Sequence, residues 1–474
     1  MIDVLVAGAG PNGLMTACEL ALHGANVLVL ERNAEPTTEQ RANGLAGQVV
    51  RMLDRRGLLE RLTGSAEPPE PLPQYMFAAF PLPLHRLGGD NPVYTILAPQ
   101  RRIEEMLAAR AGELGVEIRR GEGVTGFVQH GDHVVVTTDH GDIAARWLVG
   151  ADGGRSVVRK AAGIGFPGVT RDDTVSRAAH VGVPERLLHR EGGLEVPGYG
   201  VLPPFRHTRT ERGLIVYAPF PDGRRLVSVT DREPAGDEPM TIAEIVAAAE
   251  RVLGVPLEIE EPPGDGPHLL RRTVGGNTRL AETYRRGRVL LVGDAAHVHA
   301  AIGGPGLNLG LQDAVDLGWK LAAEVGGRAP EGLLDTYEAE RRPYAERVVM
   351  HTVAQSVLVG PGPQITALRR LFGELLEDEP ALRRIAELIA GGPQAYDTTL
   401  ADGRRLATLT RDGGFLLIDR GGFGGDVPGD HVRVVTDDGP GESVLLRPDG
   451  QVAWSSARPV GELRTALKRW LAAA

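Results

Sequence analysis

The chain has 474 residues, of which 42% are hydrophobic and 24% are charged, which is typical of a globular protein and excludes a disordered or fibrous one. A formal net charge of −10 argues against general binding to nucleic acid or to an anionic membrane, and no apolar run is long enough to predict a membrane span. Because Cys18 is the only cysteine, an internal disulfide, a multi-cysteine metal site and a CxxC redox site are excluded. No metal site is predicted, and we expect a cytoplasmic protein without a signal peptide.

The chain opens with a β-α-β pattern. Residues 2–7 are almost wholly apolar, as in a strand buried on both faces of a parallel sheet. Gly8-Ala9-Gly10-Pro11-Asn12-Gly13 follows at once, and apolar residues then recur at helical spacing as far as Leu22. Residues 26–30 predict a second buried strand that ends at Glu31. This order is typical of a Rossmann-like nucleotide-binding unit.

Strand and helix patterns alternate along the rest of the chain. Up to residue 253 they predict, in chain order, a helix over 101–114, a strand at 117–118, a hairpin of 133–138 and 142–148, strands at 214–218 and 225–229, and a helix over 242–253. A strand at 288–292 follows, and then helices over 310–324, 330–357 and 364–390, the last with a break at Pro380. Near the end they predict strands at 415–418, 432–435 and 444–446 and a helix over 460–471. Short strands between Pro and Gly turns over about 169–270 predict a sheet domain inserted into the nucleotide-binding domain.

The first glycine-rich motif has a physical reason at each position. Gly8 permits the tight turn out of the strand, Gly10 lets backbone N–H groups approach a pyrophosphate, and Gly13 allows close packing of helix on strand. Glu31, at the tip of the second strand, can accept hydrogen bonds from ribose hydroxyls and would repel a 2′-phosphate. The motif therefore predicts FAD or NAD binding, and a purely structural glycine turn is the alternative.

The second motif, Asp152-Gly153-Gly154-Arg155-Ser156, follows the strand pattern at 147–150. Such a corner can contact a phosphate. The alternative, which these residues favour when taken alone, is a capped helix in which Asp152 or Ser156 accepts hydrogen bonds from free N–H groups.

The third motif begins where the strand at 288–292 ends in Gly293-Asp294. Asp294 is placed to bind a polyol chain, and the loop Gly303-Gly304-Pro305-Gly306 opens a helix whose N–H groups can face an anion or a polarised carbonyl. The alternative is a tight turn followed by a capped helix. His297 and His299 have no acidic partner nearby in sequence, so we interpret them as structural or solvated and not as metal ligands.

These three motifs, in this order, resemble the group A FAD-dependent aromatic hydroxylases, which share the para-hydroxybenzoate hydroxylase fold. The resemblance covers residues 1–357 and is strong in the stretches 27–32, 155–159 and 310–314. It extends to actinobacterial polyketide hydroxylases and rifampicin monooxygenases, which also share the phrase Val-Leu-Leu-Arg-Pro-Asp-Gly at 444–450.

The resemblance implies an α/β fold with a Rossmann-like FAD-binding domain, an inserted mixed β-sheet substrate domain and a C-terminal thioredoxin-like domain. The implied boundaries are 1–71, 99–168 and 271–357 for the FAD-binding domain, 72–98 and 169–270 for the substrate domain, 358–393 for a helical connector, and 394–474 for the C-terminal domain. With a single cysteine, the last domain is expected to support packing or a dimer and to perform no dithiol chemistry. A monomer or a homodimer is expected.

The resemblance also implies which residues hold FAD. They are Gly8, Gly10, Gly13, Glu31, Arg32, Arg41, Gln100, Asp152, Asp294, Gly306, Leu307 and Asn308. Candidate substrate-lining residues are Met76, Phe77, Phe80, Tyr94, Tyr199, Phe205 and Tyr217, although core packing explains any single one of them better.

The implied reaction is FAD- and NAD(P)H-dependent hydroxylation of a polycyclic aromatic substrate through a flavin C4a-hydroperoxide, with O₂ as co-substrate and no catalytic side chain required. The family usually has Pro-Pro before the Gly-Gly pair and Gln after it, whereas this chain has Ala300-Ala301 and Pro305, which shape the expected oxygenation pocket. Rifamycin-type inactivation, Baeyer–Villiger oxygenation and a non-catalytic flavin-binding role remain alternatives.

Overall fold

The computed structural model describes residues 1–36, 44–220, 222–266, 268–300, 302–391, 396–427, 431–456 and 463–472. The elements of the first third of the chain are β1 (Ile2–Ala7), α1 (Pro11–Leu22), β2 (Val27–Glu31), β3 (Gly44–Ala46), α2 (Gln48–Arg55), α3 (Leu59–Thr63), β4 (Tyr75–Phe77), β5 (Phe80–Leu82), β6 (Thr95–Leu97), α4 (Gln100–Glu113), β7 (Glu117–Arg120), β8 (Val124–Gln129), β9 (Val134–Thr138), β10 (Gly141–Gly150) and α5 (Val157–Ala161).

The middle of the chain is rich in strands. Its elements are β11 (Gly168–His180), β12 (Leu194–Val196), β13 (Gly200–Leu202), β14 (His207–Arg209), β15 (Leu214–Pro219), β16 (Arg225–Asp231), α6 (Ile242–Leu253), β17 (Leu270–Leu280), β18 (Arg285–Arg286), β19 (Val289–Leu291) and β20 (His297–Val298).

The last third begins with long helices. Its elements are α7 (Pro305–Val325), α8 (Thr336–Leu358), α9 (Pro363–Leu375), α10 (Glu379–Ala390), α11 (Leu406–Leu409), β21 (Phe415–Asp419), β22 (Val432–Thr436), β23 (Val444–Leu446), β24 (Val452–Ser455) and α12 (Leu463–Trp470).

The first sheet confirms the predicted β-α-β start. Its strands lie in the order β18-β19-β10-β1-β2-β7, and β1 runs parallel to both β10 and β2. The hairpin of β8 and β9 extends it beside β10. Strands β1 and β2 are buried along almost their whole length, as expected for a parallel sheet covered on both faces. The carboxyl ends of β1, β10 and β19 therefore meet at one edge, and each precedes one of the three glycine-rich motifs.

The second sheet corrects one prediction. Its order is β14-β15-β16-β11-β17-β20, and all of its described ladders are antiparallel, so it is not the mixed sheet that we expected. For β14, β15 and β16 the physical reason is the connectivity, because short turns join these strands and force antiparallel pairing. Helix α6 covers this sheet with the predicted bounds; the Thr241 side chain caps its first turn and Gly254 ends it in the left-handed conformation.

The third sheet, of order β22-β21-β23-β24, follows the predicted C-terminal strands. Strands β21 and β22 are parallel and the other pairs are antiparallel. Its core is shared with α7, since Trp319 packs against Phe415 and Trp470 at ring distances of 5.7 and 6.2 Å. The long helix that begins at the third glycine-rich motif is thus also part of the C-terminal core.

The starts of two long helices differ from the prediction by five residues or more. Helix α7 begins at Pro305 and not at 310, because Pro fits the first helical position and leaves no N–H unpaired there. Helix α8 begins at Thr336 and not at 330. The predicted break at Pro380 is confirmed, since α9 ends at Leu375 and Pro380 lies in the first turn of α10. Over the part of the chain described above, no helix combines the length and the apolar character that a membrane crossing requires.

Candidate active site

The turn between β1 and α1 needs two of its glycines for packing and leaves the third open. Gly8 has φ +108°, and a Cβ on it would lie 2.5 Å from the Ala151 carbonyl oxygen. A Cβ on Gly13 would lie 2.0 Å from the Gly8 carbonyl oxygen. A Cβ on Gly10 would meet nothing within 4 Å, and the N-terminus of α1 at Gly10 has no side-chain cap. The open glycine and the free N–H groups of α1 form a cradle that suits a phosphate group.

Glu31 holds the first motif from the neighbouring strand. One of its carboxylate oxygens accepts a hydrogen bond from the Ala9 N–H at 2.9 Å, and the other accepts one from the Asn33 N–H at 2.9 Å. Each oxygen keeps a second lone pair, so these bonds leave acceptor capacity for ribose hydroxyls. Arg32 is exposed beside Gly123, and Arg41 lies outside the described residues.

The second motif forms the predicted capped helix. One oxygen of Asp152 accepts hydrogen bonds from the N–H groups of Val157 at 2.7 Å and Val158 at 3.1 Å, and the Ser156 hydroxyl accepts one from Arg159 N–H. The capping interpretation is confirmed. The other oxygen of Asp152, Oδ1, is buried without a hydrogen-bond partner among the described residues, so the motif retains an unused acceptor.

Backbone contacts join the second motif to the third. The buried Arg159 side chain donates to the Ala295 carbonyl at 2.8 Å and to the Gly154 carbonyl at 3.0 Å. A Cβ on Gly154 would lie 2.9 Å from the Val298 side chain. Asp294, in the turn between these contacts, is exposed at the end of β19.

Asn12 joins the first motif to the third. A Cβ on Gly293 would lie 2.0 Å from the Asn12 side-chain nitrogen, and a Cβ on Gly310 would lie 2.3 Å from the same atom. A side chain at either position would force the Asn12 side chain out of its place between the end of β19 and helix α7. The structure therefore brings together all three motifs that the sequence singles out.

The loop before α7 is held at several points. The His299 ring packs over Gly306, whose Cβ would lie 2.7 Å from its Nε2 atom. Asn308 is buried, accepts a hydrogen bond from the Ala46 N–H at 2.9 Å, and donates one to the Gly304 carbonyl at 3.1 Å. Helix α7 has no side-chain cap at Gly304, so its first N–H groups remain available.

The remaining predicted residues of this loop and of α4 have simpler surroundings. Leu307 packs against the core of the first sheet, and Gln100 donates to Glu104 in the first turn of α4 at 2.7 Å. Ala300 accepts a hydrogen bond from the Ile302 N–H, and Ala301 lies outside the described residues. Pro305 opens α7 at the wall of a cavity of about 260 Å³.

A buried triad under this loop was not predicted. The Nε2 atom of His297 lies 2.6 Å from one oxygen of Asp313, and Arg341 Nε donates to the other oxygen at 2.8 Å. Burial acts to raise the pKa of Asp313, but Arg341 and His297 outweigh it and hold that pKa below its usual value. His297 is structural, as interpreted, but the alternative of a solvated side chain is wrong, because its partner comes from α7. An aspartate within the apolar face of a buried helix was the signal for such a partner.

The predicted substrate-lining residues belong to different packing clusters. Phe77 and Phe80 flank the β4–β5 turn and lie 6.1 and 5.3 Å from the Phe372 ring of α9. Met76 on β4 is half-buried, and Tyr217 is buried in the core of the second sheet.

Three more of these predicted residues lie elsewhere. The Tyr94 hydroxyl accepts a hydrogen bond from Arg51, and the ring packs against the core of the first sheet. Tyr199, between β12 and β13, and Phe205, between β13 and β14, are exposed. The Phe205 ring packs edge-on against Phe220, with 5.9 Å between the ring centres. Core packing accounts for Phe77 and Tyr217, as the sequence favoured for single residues.

The far end of α7 is held by charge. Lys320 Nζ donates to Asp316 at 2.7 Å and to Glu340 at 2.9 Å. Arg447, from the C-terminal phrase at 444–450, donates to both oxygens of Glu340 at 2.8 and 2.7 Å and also contacts Asp449. These groups are largely buried, so the two cations compensate the close carboxylates and fix the third sheet on α7 and α8.

Comparisons with known proteins agree with this arrangement. Residues 1–352 match the family described as "FAD binding domain", and residues 390–474 match "Aromatic-ring hydroxylase, C-terminal". The 12-dehydrotetracycline 5-monooxygenase/anhydrotetracycline 6-monooxygenase of Streptomyces rimosus subsp. rimosus is 41% identical over 514 residues, covering 99% of this chain and 98% of that protein. The rifampicin monooxygenase of Streptomyces venezuelae is 40% identical over 501 residues, covering 100% and 99%.

A solved structure is similar over the whole chain. The Diels-Alderase PyrE3, from the biosynthetic pathway of pyrroindomycins, matches with a TM-score of 0.86 and 33% sequence identity, covering 100% of both chains. The same scaffold thus occurs in proteins named for oxygenation and in one named for a cycloaddition.

Proposed function

The chain belongs to the FAD-binding family of aromatic-ring hydroxylases and is a flavin-dependent monooxygenase; on this premise we propose that it hydroxylates a polycyclic aromatic substrate of the polyketide type. Its cofactors are FAD, with NADPH or NADH as reductant and O₂ as co-substrate. The observation that supports this best is the meeting of the three glycine-rich motifs around the open N-termini of α1 and α7. When bound, FAD supplies the hydride acceptance and the oxygen activation that no side chain provides.

The residues present fit FAD. Gly10 and the free N–H groups of α1 would hold the pyrophosphate, and the spare lone pairs of Glu31 would accept the ribose hydroxyls. The exposed Asp294 would bind the ribityl chain, and the unused oxygen of Asp152 supports a cofactor contact of the second motif. The remaining proposed contacts are Arg32, Arg41, Gln100, Gly306, Leu307 and Asn308.

Each part of the chain has a distinct task in this proposal. Asn308 and His299 hold the loop before α7 in one shape. The small side chains of Ala300 and Ala301, together with Pro305, would leave room for the ring system. The substrate would lie between this loop, the β4–β5 hairpin and the second sheet, with Met76, Phe80, Tyr199 and Phe205 as its nearest candidate contacts among the seven predicted residues.

The domain organisation forms part of the proposal. The boundaries are those implied by the family resemblance, with the second sheet as the substrate domain and the third sheet, with α11 and α12, as a thioredoxin-like domain. The parallel pair β21–β22 beside the antiparallel β23 supports that assignment. In this chain that domain would act through Arg447 on the position of α7.

The test is a reductant-oxidation screen on the purified, yellow holoenzyme. Anthraquinone, angucycline, tetracycline and rifamycin scaffolds are offered with NADPH or NADH in air, and products are analysed by mass spectrometry. We expect one scaffold class to accelerate NAD(P)H oxidation and to yield a product that has gained one oxygen atom. Nuclear magnetic resonance of the product separates ring hydroxylation from Baeyer–Villiger insertion and from rifamycin-type inactivation. A holoenzyme that no scaffold stimulates would contradict the proposal.

A second candidate is a ring closure without net oxidation. Two observations favour it, the similarity to Diels-Alderase PyrE3 over the whole chain and the Ala300, Ala301 and Pro305 substitutions in the loop that shapes the expected oxygenation pocket. It predicts that a polyene-bearing substrate is converted without NAD(P)H or O₂ into a product of unchanged mass. An oxygen-free assay with FAD-loaded protein distinguishes this from hydroxylation.

A further inference from the structure

The turn of the β4–β5 hairpin has an unfavourable backbone conformation. Ala78 and Ala79, between the paired residues Phe77 and Phe80, have φ values of +49° and +62°. A side chain with a Cβ rarely adopts this left-handed region, and such a conformation persists only where the surroundings hold it. The turn therefore depends on its contacts with neighbouring helices.

Two side chains hold this turn. Arg369 of α9 donates to the Ala78 carbonyl at 2.5 Å and to the Ala79 carbonyl at 3.2 Å, and its guanidinium lies 3.9 Å from the centre of the Phe80 ring. Gln355 of α8 accepts a hydrogen bond from the Ala78 N–H at 3.1 Å. The N–H and C=O groups of Ala78 are thus bound by different helices.

The Gln355 amide has one orientation in this site. Its Oε1 atom must face Ala78, because a backbone N–H only donates. Its Nε2 atom therefore donates to Nδ1 of His351 at 3.1 Å. Burial is the main cause that lowers the pKa of His351 to about 4, and the nearby His299 and Arg347 contribute to this. The His351 ring is therefore neutral, and its Nδ1 atom accepts the hydrogen bond from Gln355.

The same amide touches the loop before α7. A Cβ on Gly303 would lie 3.2 Å from Nε2 and 3.4 Å from Oε1 of Gln355, so the amide lies close to the Gly303 backbone. Gln355 is 3% exposed. One buried amide therefore contacts the β4–β5 turn on one side and the loop of the third glycine-rich motif on the other.

We propose that Gln355 is a positioning residue, which sets the distance between the β4–β5 hairpin and the Gly303 loop. The inference rests on the proposed function in one respect, namely that the hairpin forms a wall of the substrate site and the loop lies beside the cofactor. A fixed distance between these walls holds the substrate ring where oxygen transfer outruns the loss of oxygen as hydrogen peroxide. If Gln355 only filled space in the core, an apolar side chain of the same size at this position would leave the hairpin and the loop unchanged.

The first test is hydrogen exchange of the FAD-loaded protein. Gln355→Leu keeps the volume and removes both hydrogen bonds, whereas Gln355→Glu keeps the acceptor for Ala78. We expect amide exchange at Ala78 to become about tenfold faster in Gln355→Leu, and the peptide that contains Gly303 to exchange faster as well. Gln355→Glu should restore slow exchange at Ala78. Gln364→Leu, on the exposed first turn of α9, is the matched control.

Unchanged exchange at Ala78 and at the Gly303 peptide in Gln355→Leu would overturn the proposal. Because this readout requires no substrate, it stands even if the hydroxylase assignment fails.

The second test measures coupling with anhydrotetracycline and rifampicin as probes. For a probe that is hydroxylated, we expect Gln355→Leu to consume NADPH at a rate close to wild type while product formation falls about tenfold and the difference is recovered as hydrogen peroxide. Equal loss of both rates, with wild-type coupling, would indicate a merely structural residue and would overturn the proposal. If the wild type hydroxylates neither probe, the coupling measurement moves to a scaffold that the reductant-oxidation screen identifies; if that screen finds none, the proposed function is wrong and hydrogen exchange decides on Gln355.

Discussion

Helix α7 meets the rest of the molecule differently at its two ends. Its N-terminus, at Gly304 and Pro305, carries no side-chain cap and faces the loop where the glycine-rich motifs meet. Its C-terminal half carries Asp316 and Lys320, which join a largely buried network with Glu340 and with Arg447 of the third sheet. Backbone groups are left available at one end, and charged groups are satisfied at the other.

The difference separates binding from stability along one helix. Substitutions at Gly304, where a side chain would meet no atom of the described residues within 4 Å, are expected to change cofactor binding with little effect on folding. Substitutions in the charge network are expected to change the free energy of unfolding, because removing one partner leaves buried charges uncompensated. The following predictions run from the largest expected effect to the smallest.

The largest effect is expected for Arg447→Ala. Glu340, Asp316 and Asp449 would lose a cation at a largely buried site, which should lower the free energy of unfolding by about 3–5 kcal/mol. Chemical denaturation of the holoenzyme measures the change. Arg404→Ala, which removes an exposed partner of Asp402 in the same part of the chain, should change the free energy of unfolding far less, because water screens this pair. If the two variants lost similar amounts of unfolding free energy, the buried charge network would not stabilise α7 more than an exposed ion pair does.

The middle of the helix should give an intermediate effect with a pH signature. Asp313→Asn keeps a side chain of the same shape but removes the charge that Arg341 and His297 share, which should cost about 2–3 kcal/mol at neutral pH. The pKa of Asp313 is lowered in the folded protein, so its stabilisation is present above its unfolded pKa of about 3.9 and is lost as the pH falls below that value.

The difference between wild type and Asp313→Asn should therefore shrink below about pH 4. Urea unfolding at several pH values measures it, with the exposed Asp335→Asn as the control that should change little at any pH. A difference that grows on acidification would refute the assignment.

How much of this was predictable depends on the range of the interactions. The first motif, the strand before it and helix α6 were predicted because their signals are local, namely glycine spacing, an apolar run and helical periodicity. The contact of Asn12 with Gly293 and Gly310 joins distant segments, so the spacing suggested a shared site but could not supply the side chain that joins them.

Long-range packing also explains the failures. The partner of His297 was missed because Asp313 lies on the next helix. For Phe77 the sequence favoured core packing but could not supply its neighbour, because Phe372 lies on the distant helix α9. The start of α7 was missed since Gly303-Gly304-Pro305-Gly306 reads as a loop, although its Pro fits a first helical turn.

At the open site, Gly10→Ala should affect binding and spare the fold. The added methyl group meets no atom of the described residues within 4 Å but occupies the space proposed for the pyrophosphate, so the Kd for FAD should rise about 10- to 100-fold, or about 1.4–2.7 kcal/mol. The unfolding free energy of the apoprotein should change by less than about 1 kcal/mol. Fluorescence titration with FAD and urea unfolding measure the two quantities. Gly112 on α4 also has open space around it, so Gly112→Ala is the control and should leave the Kd for FAD unchanged. An equal rise of the Kd in Gly112→Ala would contradict the proposed phosphate cradle at Gly10.

The smallest expected effect is an increase in the free energy of unfolding, and it arises in the β4–β5 turn, which Gln355 joins to the loop before α7. Ala79 has φ +62°, a conformation that glycine adopts freely, and its carbonyl bond to Arg369 does not involve the side chain. Ala79→Gly should raise the free energy of unfolding by about 0.5 kcal/mol, because relief of the strained backbone exceeds the greater entropy of glycine in the unfolded chain. Ala108→Gly, inside α4, should lower it by about 1 kcal/mol. Since Gln355 and Arg369 still bind the turn, coupling of NADPH oxidation to product formation should stay at the wild-type value in Ala79→Gly. Loss of coupling would mean that the strained backbone positions the hairpin, and that the contacts of the turn with α8 and α9 do not.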